Sequence, residues 1–450
     1  MALLDRFKRF TATQMADAFA RAGNGLGDGA ILRLVDLFQG MIDDPGYHRG
    51  MEFVKGLVRE GHGSTRAARR LIDEISPTVR RKVIENFFVG QIFEGYKRRY
   101  AFWETHGFAP PNAIVISPTM RCNLRCEGCY AGAYTREEEL PFEEVDRLVS
   151  EAKAMGTNFV FLAGGEPFVR WDDLRRLLHR HPDVAFQIYT NGQLVDASVA
   201  AELGRLGNAA LGISVEGSQE STDARRGQGV HGRILEAMGH LRREGVLFGF
   251  SITVTARNFG DALADLFVDE MIAQGCLYGW FFTYIPIGSR PDVSLMLTPE
   301  QRGALRDRVV DLRARYPLFL IDFWNDAMVT SGCIAGGRKY LHVNHRGDVE
   351  PCVFTHFAVD NVRGRSLAEV LDSPYFREIR ARIPHSENLL RPCMIIDHPH
   401  VLRDLVARHG ARPTHPGAET LLADLAPHLD AYARDHARVA DSRWVAHACG

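Results

Sequence analysis

From Pro110-Pro111 to about residue 290, short apolar runs alternate with stretches of helical periodicity, which predicts a parallel sheet built from β-α units. Strands are expected at Ala113–Ser117, Phe159–Ala163, Ala185–Thr190, Ala210–Val215, Leu247–Val254 and Gly279–Ile285. Between them, Phe142–Ala154, Ser198–Leu206, Gly232–Glu244 and Asp261–Gln274 repeat apolar residues at helical spacing. Six such units are too few for a closed eight-stranded barrel.

Residues 1–108 read as helices separated by Gly and Pro breaks at Gly23–Gly27, Pro45-Gly46 and Ser76-Pro77. The last helix, Val79–Tyr100, places Val83, Ile84, Phe87, Phe88, Ile92 and Tyr96 on one face, with basic triplets at both ends. Apolar stripes on helices are usually buried by their own protein, so the plain reading is a helix docked on the next domain. The sharper reading is a helix lying on a membrane surface. Residues 401–450 return to a helical pattern around Leu421, Leu422, Leu425, Leu429 and Tyr432.

Composition narrows the class. With 46% apolar and 24% charged residues over 450 positions, the chain is an ordinary globular one of two or three domains. Its 54 basic and 56 acidic residues give a net charge of −2, which provides no general pull toward nucleic acid. No apolar run reaches the roughly 18 residues a membrane helix needs, and the first residues lack a signal-peptide core, so a cytoplasmic protein is expected, membrane-surface association following only from the sharper reading. Eight cysteines, three of them in one loop, read as ligands in a reducing compartment.

That loop carries the chemistry. Cys122, Cys126 and Cys129 fall within eight residues of one another, after the first strand. Cys126-Glu-Gly-Cys129 alone could be a redox dithiol, and three cysteines with a histidine could hold structural zinc. The dithiol leaves Cys122 without a role. An iron-sulfur cube normally takes four thiolates, so three would leave one iron open to a non-protein ligand.

The C-x3-C-x2-C spacing followed by Tyr130 resembles the cluster loop of radical S-adenosylmethionine (SAM) enzymes. The resemblance implies a partial (β/α)6 TIM-like barrel (α/β class) holding a 4Fe-4S cluster and SAM, whose reductive cleavage yields a 5′-deoxyadenosyl radical. With the helical patterns on either side, the chain is expected to divide into a helical N-terminal extension (1–108), a core (109–300), an auxiliary-cluster region (301–400) and a helical tail (401–450). Gly164, Gly165, Glu166 and Pro167 resemble the turn that binds the SAM amino group, and Asn191 lies in a similar polar turn. Ser214 and Glu216 resemble the ribose and carboxylate contacts, and Arg226 the arginine that meets the SAM carboxylate. Ser251, Thr253, Thr255 and Asn258, with Phe282–Gly288 at the end of the sixth strand, are expected to face adenosine or substrate. A reductant such as flavodoxin or ferredoxin is implied.

Further on, Cys333-x13-Gly347-x4-Cys352 fits the opening of the SPASM and Twitch extensions, which bind auxiliary 4Fe-4S clusters. The segment from Tyr340 to Glu350 reads as a hairpin turning at Arg346-Gly347, which would bring Cys333 and Cys352 together. A full SPASM region has a longer cysteine run, of which Cys393 alone remains. One second cluster on Cys333, Cys352 and Cys393 is therefore expected, completed by substrate, water, Asp397 or His398. Cys276 and Cys449 match no motif and read as free thiols.

Three functions follow from these features. The first is hydrogen abstraction from a small-molecule or lipid-like substrate, the second maturation of a peptide substrate, and the third a non-enzymatic metal-binding module. The first 108 residues lack a leader-peptide-binding pattern, which weighs toward the first.

Overall fold

The computed structural model describes residues 27–40, 45–132, 138–288 and 290–448; the expected break at residues 23–26 and Cys449 lie outside these. Seven strands run parallel in sequence order: β1 (Ala113–Ile116), β2 (Phe159–Leu162), β3 (Ala185–Thr190), β4 (Ala209–Ser214), β5 (Phe248–Val254), β6 (Tyr278–Thr283) and β7 (Phe319–Asp322). The six expected strands appear within two residues of their expected ends. The seventh extends the barrel by one unit. Its run Phe-Leu-Ile-Asp is only four residues long and borrows its stability from pairing with β6.

The sheet continues past β1. β8 (Tyr340–Val343) pairs in parallel with β1, and β9 (Val349–Glu350) folds back antiparallel on β8. This is the expected hairpin, with Gly347 in its turn at φ +86°, where a side chain would be strained. A buried chain of hydrogen bonds fastens the hairpin to the barrel: Ser117 Oγ lies 2.7 Å from His342 Nε2, and His342 Nδ1 lies 2.6 Å from Glu350 Oε2.

Successive strand residues point to opposite faces. Ile114, Ile116, Val160, Leu162, Phe186 and Ile188 join the main apolar core with Val145, Leu148 and Val149 of the outer helix Phe142–Ala154. Ala113, Val115 and Ala163 turn the other way, into a second cluster with Tyr340 and Cys352. The partial barrel thus has a helix-covered outside and an inside that lines a cavity. The expected helix over 261–274 breaks at Leu263-Ala264 into Phe259–Ala262 and Asp265–Gln274.

The helical stretch before β1 differs from its expected form. Pro77–Lys82 and Gly95–His106 are α-helical, and Val83–Glu94 between them is π-helical. The wider turn rotates the side chains away from 3.6-residue spacing. Phe88 is left 38% exposed while Asn86 and Gln91 are buried. Asn86 Nδ2 donates to the carbonyl oxygens of Pro182 and Val184, and Gln91 Nε2 to that of Asn112. These carbonyls precede β3 and β1, so the stretch closes the lower end of the barrel by satisfying its loop backbone. No described helix is long and apolar enough to cross a membrane.

Beyond β9, helices span Leu367–Leu371 and Pro374–Ala381, then Pro399–His409 and Ala426–Ala448. Leu421 and Leu429 are buried, as the tail's apolar spacing requires.

Candidate active site

The cysteine loop begins at the C-terminal end of β1, and the Gly-Gly-Glu-Pro turn after β2 packs against its entry. Gly165 N donates to Thr119 O at 2.9 Å and Glu166 N to Arg121 O at 2.8 Å. A Cβ on Gly165 would collide with the Arg121 carbonyl, and Gly164 takes φ +111°. The two glycines let one backbone lie directly on the other.

Glu166 is 1% exposed and does not line the cavity. Its carboxylate accepts from Phe168 N (3.1 Å), Thr190 Oγ1 (2.8 Å) and Asn191 N (2.7 Å). Burial pushes its carboxyl up to about 7, against the pull of these donors and of Arg226. Glu166 therefore ties the β2 turn to the β3 turn. Pro167 is also buried behind the turn.

Glu216 is likewise enclosed by protein donors. It is fully buried, and Arg225 Nη1 and Arg226 Nη2 both lie 2.5 Å from its Oε1. Asn258 Nδ2 donates to its backbone carbonyl. Glu216 aims two guanidinium groups, and both of those groups line the cavity. Arg226 Nη1 approaches Cys126 Sγ at 4.0 Å. Asn191 Nδ2 bridges to Asn123 Oδ1 (2.7 Å) and lies 3.8 Å from Cys122 Sγ. Burial pushes the Cys122 thiol up to about 11 and raises that of Cys126, where Arg226 opposes it.

A cavity of about 260 Å³ brings Cys122, Cys126, Cys129, Tyr130, Gly164, Gly165, Asn191, Ser214 and Arg226 together. Ser251 and Thr253 line it; Thr255 and Asn258 do not. The sequence reading favoured Arg226 over its neighbour Arg225 and named Phe282, but it missed the rest of the aromatic wall: Phe161, Tyr189 and Trp280 on β2, β3 and β6, with Phe323 and Phe354 beyond. Trp280 and Phe282 stack with centroids 5.8 Å apart, and Tyr189 meets both edge-on. Alternation along each strand is the signal for this wall, hidden because both strand faces are apolar.

The second cysteine set sits beside this wall. Cys333, Cys352 and Cys393 lie within electrostatic reach of one another, and burial raises all three thiols, Cys352 to about 12. Tyr340 Oη donates to Cys352 Sγ at 2.8 Å. Ile334, Tyr340, Val353 and Phe354, chain neighbours of Cys333 and Cys352 or their hydrogen-bond partner, line the cavity. Asp397 is not free to join them, because it is fully buried against Arg302 (Nη2–Oδ2 3.0 Å) and accepts from Cys393 N. His398 Nε2 lies 3.0 Å from the Arg391 carbonyl oxygen. Cys276 is buried apart from both sets, beside Met271, with no disulfide.

Both sets fit thiolate-bound clusters by one repeated feature. The amide of the residue two positions on donates to the sulfur: Leu124 N to Cys122 (3.4 Å), Phe354 N to Cys352 (3.5 Å) and Ile395 N to Cys393 (3.3 Å). Such donors stabilise negative sulfur and tune cluster potential. Among the described residues, no three His, Cys, Asp or Glu side chains close in tightly enough for one metal ion, whereas a cube spreads its thiolates over separate irons.

A partial parallel barrel with a three-thiol loop at its mouth and a second thiol set behind its first strand defines an iron-sulfur α/β-barrel enzyme. The family model for the radical SAM superfamily matches residues 116–263, and that for the SPASM iron-sulfur cluster-binding domain matches residues 333–394. These matches mark residues 116–263 as a radical SAM domain and residues 333–394 as an iron-sulfur cluster-binding domain, whose cofactors are SAM and 4Fe-4S clusters. It is 34% identical over 172 residues to the Fe-coproporphyrin III synthase of Methanosarcina barkeri, which covers 37% of this chain and 43% of that protein. It is 28% identical to the mycofactocin maturase MftC of Mycobacterium ulcerans, over 61% of this chain and 78% of that one. The fold is similar to that of Streptococcus suis SuiB bound to S-adenosylmethionine, with TM-score 0.55 and 17% identity over 74% of this chain and 87% of that one.

Proposed function

We propose that Cys122, Cys126 and Cys129 hold the cluster that cleaves SAM, and that the substrate is an apolar small molecule bound against the aromatic wall. The cluster and SAM supply one piece of chemistry when bound: a one-electron cleavage yielding a 5′-deoxyadenosyl radical that takes a hydrogen atom from the substrate. In this reading Arg226, aimed by Glu216, meets the SAM carboxylate, while Gly164, Gly165 and Asn191 flank its amino group. Ser214, Ser251 and Thr253 offer hydroxyl groups to the ribose. The aromatic rings hold the substrate and keep water from the reacting carbon. Cys333, Cys352 and Cys393 hold the second cluster at the far wall. The observation that carries the proposal is the single cavity touching the three-thiol loop at one end and the neighbours of Cys333 and Cys352 at the other.

The relative named Fe-coproporphyrin III synthase makes tetrapyrroles the first class to try. A second reading, peptide maturation, is supported by the mycofactocin maturase relative. The test is anaerobic reconstitution, a count of iron and sulfide, and assay of 5′-deoxyadenosine with SAM and dithionite, alone and with iron-coproporphyrin III. About eight irons per chain with 5′-deoxyadenosine formed supports the reading, and zinc with no cleavage sinks it. Consumption of a small precursor peptide encoded beside the gene, with no small-molecule turnover, would favour the second reading. A flavodoxin or ferredoxin is the expected physiological reductant. Exposed Tyr100 and Trp103 support a peripheral membrane contact; equal liposome flotation with and without residues 1–100 would remove it.

A further inference from the structure

Arg225 and Arg226 meet on one carboxylate and then part. Arg226 Nε donates to Glu216 Oε1 at 2.8 Å, and its Nη1 approaches Cys126 Sγ. Arg225 Nη1 lies 2.5 Å from the same carboxylate oxygen, but its Nε turns to the carbonyl oxygen of Glu127 at 3.1 Å. The contact is returned through the backbone, because Glu127 N donates to Arg225 O at 3.0 Å. Glu127 stands between Cys126 and Cys129. Both backbone groups of a residue inside the thiol loop are therefore taken by a single arginine.

Arg225 is itself held in place. It lies in the last turn of the helix Gln219–Arg226, where carbonyl groups have no partner within the helix, and Glu127 N supplies one. At the start of that helix, Ser218 Oγ and Ser221 Oγ donate to Asp261 Oδ2 at 2.6 and 2.5 Å. The helix is thus fastened to the segment after β5 at its beginning and to the cysteine loop at its end. The Arg225 side chain is only 13% exposed. The Glu127 carboxylate, by contrast, meets Arg257 at an exposed site, where an ion pair contributes little.

We infer that Arg225 is a positioning residue for the cysteine loop: by gripping Glu127 and Glu216 together, it fixes the Cys126–Cys129 span relative to the Arg226 guanidinium. The distance between the first cluster and the group that meets the SAM carboxylate is then set by one side chain. This assignment rests on the proposal that the three cysteines hold a cluster and that Arg226 meets SAM. Arginine suits the task because its planar fork spans two acceptors in fixed directions, whereas a lysine ammonium would keep the charge beside Glu216 without that fork.

The test uses reconstituted holoenzyme without substrate, from which the chelator bathophenanthroline removes iron. The phase belonging to the first cluster is the one missing in Cys126→Ala. Arg225→Lys is expected to speed that phase about tenfold, the strength of one charge-assisted hydrogen bond. The phase from the second cluster and the circular dichroism should stay as in wild type. The SAM concentration that half-completes the change in the EPR signal of the reduced first cluster should rise several-fold in Arg225→Lys. Arg257→Gln, which removes only the exposed contact to the same residue, should match wild type in both measurements. A first phase in Arg225→Lys as slow as in wild type overturns the assignment, and so does equal acceleration of both phases, which would make Arg225 a support of the whole fold. Wild type that takes up no iron, or that forms no 5′-deoxyadenosine from SAM and dithionite, sinks the functional proposal instead.

Discussion

The Tyr340 hydroxyl donates to Cys352 Sγ at 2.8 Å while the same side chain lines the cavity. One residue therefore touches both the substrate space and a proposed ligand of the second cluster. A hydrogen bond to a ligating sulfur favours the reduced, more negative cluster. Tyr340→Phe should leave the iron count unchanged and move the potential of the second cluster downward in an EPR-monitored redox titration. An unchanged potential would remove Tyr340 from that role.

The two cysteine sets should separate in function. Cys126→Ala is expected to abolish 5′-deoxyadenosine formation. Cys352→Ala should lose about four irons, retain some SAM cleavage and lose product. Equal activity in both variants would sink this division. Cys276→Ser should keep the full iron content, since Cys276 lies apart from both sets.

Glu166 gives a pH signature. Its carboxyl is raised from 4.5 to about 7 in the fold, burial being the largest cause. The folded state then holds a proton that the unfolded chain has released, so stability falls as pH rises from about 4.5 to about 7 and levels off above. Thermal unfolding of apo-protein over this range should fall more steeply in wild type than in Glu166→Gln. Parallel curves would show that Glu166 does not titrate there.

The Arg302–Asp397 pair is fully buried and sits on the turn that carries Cys393. Arg302→Met strands a buried carboxylate and should cost about 3–5 kcal/mol of stability in urea unfolding. Adding Asp397→Leu should recover much of that loss, since both charges are then gone.

The strands and helices of the barrel were legible because period-2 and period-3.6 patterns alternate cleanly from Ala113 to Thr283. β7 escaped because its four residues pair only through β6. The cysteines announced themselves by spacing alone, but burial decides what a carboxylate does, and burial is not written locally. Glu166 and Glu216 both sit in cofactor-like motifs, yet each is enclosed by protein donors, Thr190 and Asn191 for the one and Arg225 and Arg226 for the other. The aromatic wall was hidden for the opposite reason: Phe161 and Leu162 look alike in sequence and face opposite sides of β2.

The pairing of β8 with β1 also has a meaning in time. His342 lies 225 residues after Ser117, the residue it bonds. While the ribosome makes that interval, one edge of β1 has no partner, and an unpaired strand edge is a template for aggregation. The cysteine loop hanging from β1 gains its final support only when the hairpin arrives, so metal delivered to a chain stalled before residue 340 would meet a sheet still missing its outer edge. Slow synthesis through the last third of the message, or truncation within it, would therefore reduce the yield of the first cluster even though its three cysteines were made long before.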